Sequence, residues 1–226
     1  MEKQYIIILF GSAIVLIVFF SWYFSKKAII KRKLKRATYR RFTEIRRGEV
    51  AKLVGKVQFI DEPLKAPLSG RPCAYYHVLV EQRVSSGKSS HWKTIIEEEE
   101  SSRFVLREGS RYAYIRSEKI KSYVVDDMKY RSGLWEDASR QLERYLNKHR
   151  IESVNFLGLN KTIRYREGIL EENEEVAVLG TGEWHNASDL GLPPQMERVL
   201  LIQSPREDAV YLSDSPDTVR TSDYRF

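Results

Sequence analysis

Residues Tyr5 to Phe24 read YIIILFGSAIVLIVFFSWYF, twenty residues without a single charge. No other stretch of the chain constrains its architecture as strongly. At a 1.5 Å rise per residue such a helix is about 30 Å long, the thickness of a bilayer core. Tyr5 stands at one end, and Trp22 and Tyr23 at the other, where interfacial aromatics sit. A cleaved secretory signal has a shorter apolar core and a small-x-small site, and neither is present before Lys26. The sequence therefore predicts a retained single-pass anchor over residues 1–25.

The flank sets the orientation. Residues 26–47, KKAIIKRKLKRATYRRFTEIRR, hold eleven Lys or Arg and one acid, Glu44, a net of +10. Only Lys3 precedes the apolar stretch. Positive charge stays on the cytoplasmic side, so the carboxyl-terminal part is expected in the cytoplasm and the amino terminus outside. In that orientation the sequons at Asn160 and Asn186 carry no glycan. Ile30, Leu34, Ala37 and Ile45 recur at roughly helical spacing, which predicts a basic juxtamembrane helix or linker. Its Lys26, Lys27, Lys31, Arg32, Lys33, Lys35, Arg36, Arg40 and Arg41 are expected at a membrane surface with anionic headgroups, each contributing about 1 kcal/mol. Nucleic acid is the weaker alternative, because only Tyr39 and Phe42 are available there for stacking.

Charge also removes a tempting reading. Subtracting that segment's +10 from the chain's +7 leaves residues 48–226 at −3. The high isoelectric point belongs to one short stretch and does not mark a nucleic-acid-binding domain.

From Val50 the hydrophobic period changes to two. Leu53, Gly55, Val57 and Phe59 fall on one face, with Lys56 and Gln58 on the other. Pro63–Pro72 reads as a loop. Residues 73–84 and 91–98 read as a hairpin, with Ala74, Tyr76, Val78 and Val80 sharing a face. Further strands are expected at 103–107, 111–115, 119–126, 162–167, 175–184 and 197–203. SGLWEDASRQLERYLNKHR carries Leu134, Trp135, Ala138, Leu142, Tyr145 and Leu146 on one stripe, an amphipathic helix at about 133–149. The acidic run Glu97–Glu100 reads as a solvated strand end, and the tail 214–226 as polar and frayed. The whole predicts a mainly β (α+β), compact barrel-like domain over 48–213 with one inserted helix, behind the anchor.

The sequence offers no catalytic constellation. The one cysteine excludes an intramolecular disulfide and a cysteine-rich zinc module. Cys73 and His77 lie four apart on an expected strand, about 13 Å, whereas a nucleophile and its base need about 3 Å. Cys73 is therefore expected as a small buried hydrophobe. His77, His91, His149 and His185 show no metal-ligand spacing. Gly180 and Gly182 lack the rest of a dinucleotide loop, and Gly within a strand marks a bulge or a close backbone approach. No metal, cofactor or small-molecule substrate is expected.

VGKVQ, then PLKAPLSGRPCAYYHVLVEQR, Trp92 and FVLREGSRYAYI, followed by RYREGILEENEEVAVLGTGEW, resemble in order the GIDE or beside-a-membrane (BAM) domain. That domain occurs in mitochondrial MULAN-type E3 ubiquitin ligases and in many prokaryotic proteins. The likeness runs from about Val50 to Ser213. On it, Pro67, Ser69, Gly70, Cys73, Tyr75, Tyr76, Trp92, Glu167, Leu179 and Gly180 are family-signature residues of structural character. The ligases carry a RING and place the domain between two spans; this chain has neither a RING nor a second span. In the ligases the domain faces the intermembrane space; here the resemblance implies a RING-less scaffold or protein-binding module, and the charge rule puts it at the cytoplasmic face, expected to be that of a prokaryotic plasma membrane. Its partner would be a membrane protein or a second copy. Ligase-like activity, and anionic lipid or nucleic-acid binding through residues 26–47, are the alternatives.

Overall fold

A computed structural model describes residues 23–87, 89–131, 140–152 and 161–221. The expected membrane span lies almost wholly outside these residues. None of the described helices is long and apolar enough to cross a membrane. A basic helix, Lys26–Arg36, leads in. Thirteen strands follow among the described residues: β1 (Val50–Phe59), β2 (Leu64–Lys65), β3 (Pro72–Cys73), β4 (Tyr75–Ser86), β5 (Ser89–Ser101), β6 (Phe104–Glu108), β7 (Arg111–Ile115), β8 (Ile120–Tyr123), β9 (Met128–Arg131), β10 (Ile163–Leu170), β11 (Glu175–Asn186), β12 (Arg198–Gln203) and β13 (Val210–Ser213). The expected mainly β, barrel-containing architecture is observed.

β1, β6, β7, β12 and β11 pair in that order, and β11 returns to β1 along Val50–Lys56, closing a five-stranded barrel. In chain order the barrel strands run first, second, third, fifth, fourth and back to first. The third and fifth, β7 and β12, are parallel. This is a Greek-key closure of the OB type. β13 and β8 extend from β11 as a two-stranded wing, also paired in parallel.

Closure needs small residues where strands cross. A Cβ on Gly180 would stand 2.7 Å from Ile202 Cγ2 and 2.8 Å from the Gln203 carbonyl oxygen. One on Gly182 would meet Ile45 Cδ1 at 2.9 Å. The close backbone approach expected at VLGTG is therefore present.

The long connections of the barrel build a second unit. β5, β4, β10 and β9 form an antiparallel four-stranded sheet. The helix Arg140–Lys148 covers one face of it, burying Leu142, Tyr145 and Leu146 against Val78, Val80, Ile163 and Tyr165. The amino-terminal half of the expected helix, with Leu134, Trp135 and Ala138, lies outside the described residues. The strand faces shift at Cys73–Tyr75. Cys73, Tyr76, Val78 and Val80 face the helix-covered core, whereas Ala74 and Tyr75 join the barrel core. Ala74 therefore does not share a face with Tyr76. The cause is a break in the strand: β3 ends at Cys73 and β4 starts at Tyr75.

Two segments expected outside the β domain, the basic juxtamembrane stretch and the polar tail, are packed. Phe42 and Ile45 of the basic segment belong to the barrel core, at 0% and 7% exposure. Ile30 and Leu34 are buried on β11 and β13 beside Ala177, Leu179 and Tyr211. The apolar residues read as a helix stripe therefore mark contact with the domain, and the folded unit begins at the basic helix, well before residue 48. At the other end, Asp214, Ser215 and Thr218 are buried and Pro216–Val219 forms a helical turn, in place of a frayed tail. Lys52, buried on β1, donates to the carbonyls of Thr218 (3.2 Å) and Arg220 (2.9 Å) and so holds that turn.

Candidate functional site

The loop between β2 and β3, expected to carry signature residues, is fixed by a buried carboxylate. Glu167, on β10, is 1% exposed and accepts from the Leu68 amide at 2.7 Å and the Ser69 amide at 2.9 Å. Gly70 sits at φ +71, a conformation that favours glycine, and donates to the Ala66 carbonyl. The Ala66 amide in turn donates to the Arg71 carbonyl, closing the loop. Arg71 then forms a two-pronged pair with Glu171 just beyond β10. Pro67 and Tyr76 line a cleft of about 360 Å³ with Arg144 and Tyr145 of the sheet helix. Leu68, the anchored residue, was not singled out from the sequence. Its signal, a small-residue loop with a matching acid far down the chain, is invisible to local spacing.

Cys73 sits at the base of this loop with no exposed surface, its Sγ 3.7 Å from the Leu64 carbonyl. Burial, with Glu167 and Glu171 nearby, pushes the thiol up to about 11. A thiol so placed is a poor nucleophile, in keeping with the expected packing role.

The remaining signature residues are dispersed. Trp92 stacks under the Arg164 guanidinium, 4.2 Å from ring to cation, at the far end of the β4–β5 hairpin. Leu179 lies beneath the basic helix and Gly180 in the barrel wall. Tyr75 points the other way from Tyr76. Its hydroxyl meets Ser122 Oγ at 2.8 Å, and Ser122 donates to Glu99 at 2.9 Å. Burial drives the Tyr75 phenol well above its usual range. These groups line a second cleft of about 360 Å³ with Phe104, Tyr114, Ile115 and Leu212, at the junction of barrel and sheet.

The acidic run is more structured than a solvated strand end. Glu98 accepts from Tyr76 Oη at 2.7 Å and Tyr145 Oη at 2.6 Å, with His149 Nε2 at 3.1 Å. His77 Nε2 lies 3.4 Å from Glu97. Among the described residues no cluster of His, Cys, Asp or Glu is arranged to hold a metal ion.

The basic segment is also sorted by the structure. Lys31 and Lys35 meet Asp217 at 2.6 and 3.5 Å, Lys33 meets Asp208 at 2.6 Å, and Lys26 meets Glu99 at 3.6 Å. Burial works against the Asp208 carboxylate, but hydrogen bonds from Lys33, Tyr211 and the Ala209 amide outweigh it and hold the group at about 2. Arg40 pairs with Glu49, and Lys27 lies over the Tyr123 ring. Arg32, Arg36 and Arg41 have no carboxylate partner among the described residues, so of the nine residues expected at a membrane surface five are engaged by the domain's own acids.

No protein-family model, curated protein or solved structure matches the chain.

Proposed function

We propose that this chain is a membrane-anchored, RING-less GIDE-like module that binds a partner without catalysis at the cytoplasmic face of a membrane. One observation carries the reading. The basic helix is docked on β11 and β13 through Ile30 and Leu34, and four lysine–carboxylate pairs tie it to Glu99 of β5, Asp208 before β13 and Asp217 after it. The domain therefore hangs on no floppy tether. It is clamped in one orientation directly after the apolar stretch, an arrangement suited to presenting a fixed surface beside a bilayer.

Two further observations support it. The Glu167-held loop serves to position backbone, and its cysteine is buried, which pushes the thiol away from the reactive thiolate. The outer face of β6, β7 and β12 is covered by the segment Ala187–Met196 through Ala187, Leu190, Leu192 and Met196. In barrels of this type the face of the second and third strands takes oligonucleotides. Its occlusion favours a protein or membrane partner over nucleic acid.

The test is affinity capture from membranes after in vivo crosslinking, with mass spectrometry as readout. Bait would be the full chain and a version lacking residues 1–22; a cut at residue 47 would remove Phe42 and Ile45 from the barrel core. Enrichment of one membrane protein by both baits is the expected result. Enrichment by neither, with both baits folded, sinks the binding-module reading.

A further inference from the structure

The seven cations of the basic helix divide by chemistry. The four that meet carboxylates, Lys26, Lys31, Lys33 and Lys35, are all lysines. Arg32 and Arg36, the helix's two arginines, meet none among the described residues. They are one turn apart, on the side of the helix away from Ile30 and Leu34. Together they line a groove of about 420 Å³ whose other walls are Ile29, Ala37, Val50 and Leu179, with Lys33 and Thr38 at its edge. Val50 is 48% exposed although it opens a barrel strand. Arg32 is held in place: it donates to the Tyr23 carbonyl at 2.7 Å, and its guanidinium lies 3.7 Å from the Tyr23 ring centroid. That contact ties the groove to the last residues of the apolar stretch.

We propose that this groove binds the phosphate headgroup of an anionic phospholipid. Guanidinium is the side chain suited to two-pronged recognition of phosphate, and lysine is not. The fork left on Arg32 and the whole of Arg36 face one space. The apolar wall of Leu179 and Val50 matches the glycerol and upper acyl chain, which a free phosphate lacks. The lysines hold the helix on the folded domain, and the arginines read the lipid. The proposal rests on the anchored reading above, which brings the groove to the headgroup level.

The full chain, purified in detergent, is titrated with phosphatidylglycerol or phosphatidylcholine, and retained lipid is counted by native mass spectrometry. The expected preference for phosphatidylglycerol is about tenfold. It falls to near parity in R32Q/R36Q and survives in K31Q/K35Q, which loses the same formal charge. R32Q/R36Q loses the Arg32–Tyr23 contact but no ion pair, so it should melt closer to the parent than K31Q/K35Q does. No preference in the parent overturns the proposal. So does equal loss in both double variants, which would mean diffuse charge, or loss of lipid to millimolar inorganic phosphate, which would make free phosphate the occupant. Release of the chain from membranes by alkaline wash would instead defeat the anchor, whatever the micelle titration shows.

Discussion

The barrel and the inserted sheet are held together by opposite means. The barrel is closed, and its interior is apolar: Phe42, Leu53, Leu106, Val178, Leu200 and Ile202 meet around glycines that let strands cross. The sheet is open, with β5 and β9 as edges, and its placement depends on carboxylates. Glu167 holds the signature loop, Glu98 gathers two tyrosines and a histidine, and Glu81 takes a two-pronged contact from Arg164 at 2.6 and 2.9 Å. A closed barrel satisfies its backbone groups by closure alone. An open sheet with irregular connections leaves amides and side-chain donors without strand partners, and these acids supply them: Glu167 for two amides, Glu98 and Glu81 for side chains. The contrast teaches that one unit is specified by shape and the other by polar pins, so their weak points differ.

The largest effect is expected at Phe42. It is fully buried, and its ring tip fills the space beside Gly55. Phe42→Ala should cost about 3–5 kcal/mol, read as a fall in the midpoint of denaturant unfolding. Its loss also asks whether the units stand apart. The barrel core includes Ala74, Tyr75, Val124 and Leu170 from the connections, so a single transition is expected. Two separated transitions, with the sheet melting last, would break the picture of a shared core.

Glu167 comes next. Glu167→Ala leaves the buried Leu68 amide and its neighbour at Ser69 without an acceptor, a cost of about 2–4 kcal/mol. Cys73 reports this locally, since its buried thiol reacts only when the loop opens. Maleimide labelling should accelerate by about tenfold for each 1.4 kcal/mol lost. Glu167→Gln keeps one carbonyl acceptor and should fall between. Labelling unchanged in Glu167→Ala would show that the loop does not depend on its pin.

Gly180→Ala tests the barrel in the same currency. The added Cβ meets Ile202 and the Gln203 carbonyl, and backbone cannot swing aside as a side chain can. The expected cost is about 1–3 kcal/mol, with Cys73 labelling barely changed. Faster labelling in this variant would mean that Cys73 is exposed by global unfolding and not by local opening of its loop.

How much of this was legible in the sequence follows the same divide. The sequence located β1, the β4–β5 hairpin, β6, β7, β8, β10, β11 and β12 to within a few residues: alternating faces marked β1 and β4, and short apolar runs bounded by turns marked buried strands such as β12. The stripe Leu142, Tyr145, Leu146 likewise marked its helix. Beyond the β4–β5 hairpin, pairing was not legible. Nothing local says that β1 meets β11 or that β7 and β12 run parallel, since alternation reports a face and not a partner. β13, four buried residues after a charged turn, is too short to show a period. The basic segment misled because its charge dominates: Ile30, Leu34, Phe42 and Ile45 are core residues among eleven cations. Glu167 stood out only through the resemblance, and its function as an anchor for Leu68 and Ser69 emerged from the fold.

The smallest effect concerns two acids between the units. Glu174 follows β10 and Asp214 follows β13; the first accepts from the Glu171 amide and the second from the Val125 amide. Burial, with Asp214, Asp127 and Glu171 nearby, raises Glu174 from 4.5 to about 7. Burial, with Asp127 and Asp126 nearby, raises Asp214 from 3.8 to about 6. Each folded-state value lies above its unfolded value, so the folded protein binds more protons across that interval. Stability must therefore rise as pH falls from about 7 toward 5. Asp208 works in the opposite sense, because its value is depressed to about 2; the stability it contributes is lost as pH falls below about 4. Thermal unfolding should accordingly peak near pH 5, with a melting temperature about 2–4 °C higher than at pH 7.5. Glu174→Gln keeps the hydrogen bond to the Glu171 amide and removes the charge. It should raise the pH 7.5 value and flatten the slope between pH 5 and 7. A slope unchanged in Glu174→Gln would place the titrating group elsewhere and leave the barrel–sheet junction insensitive to its buried acids.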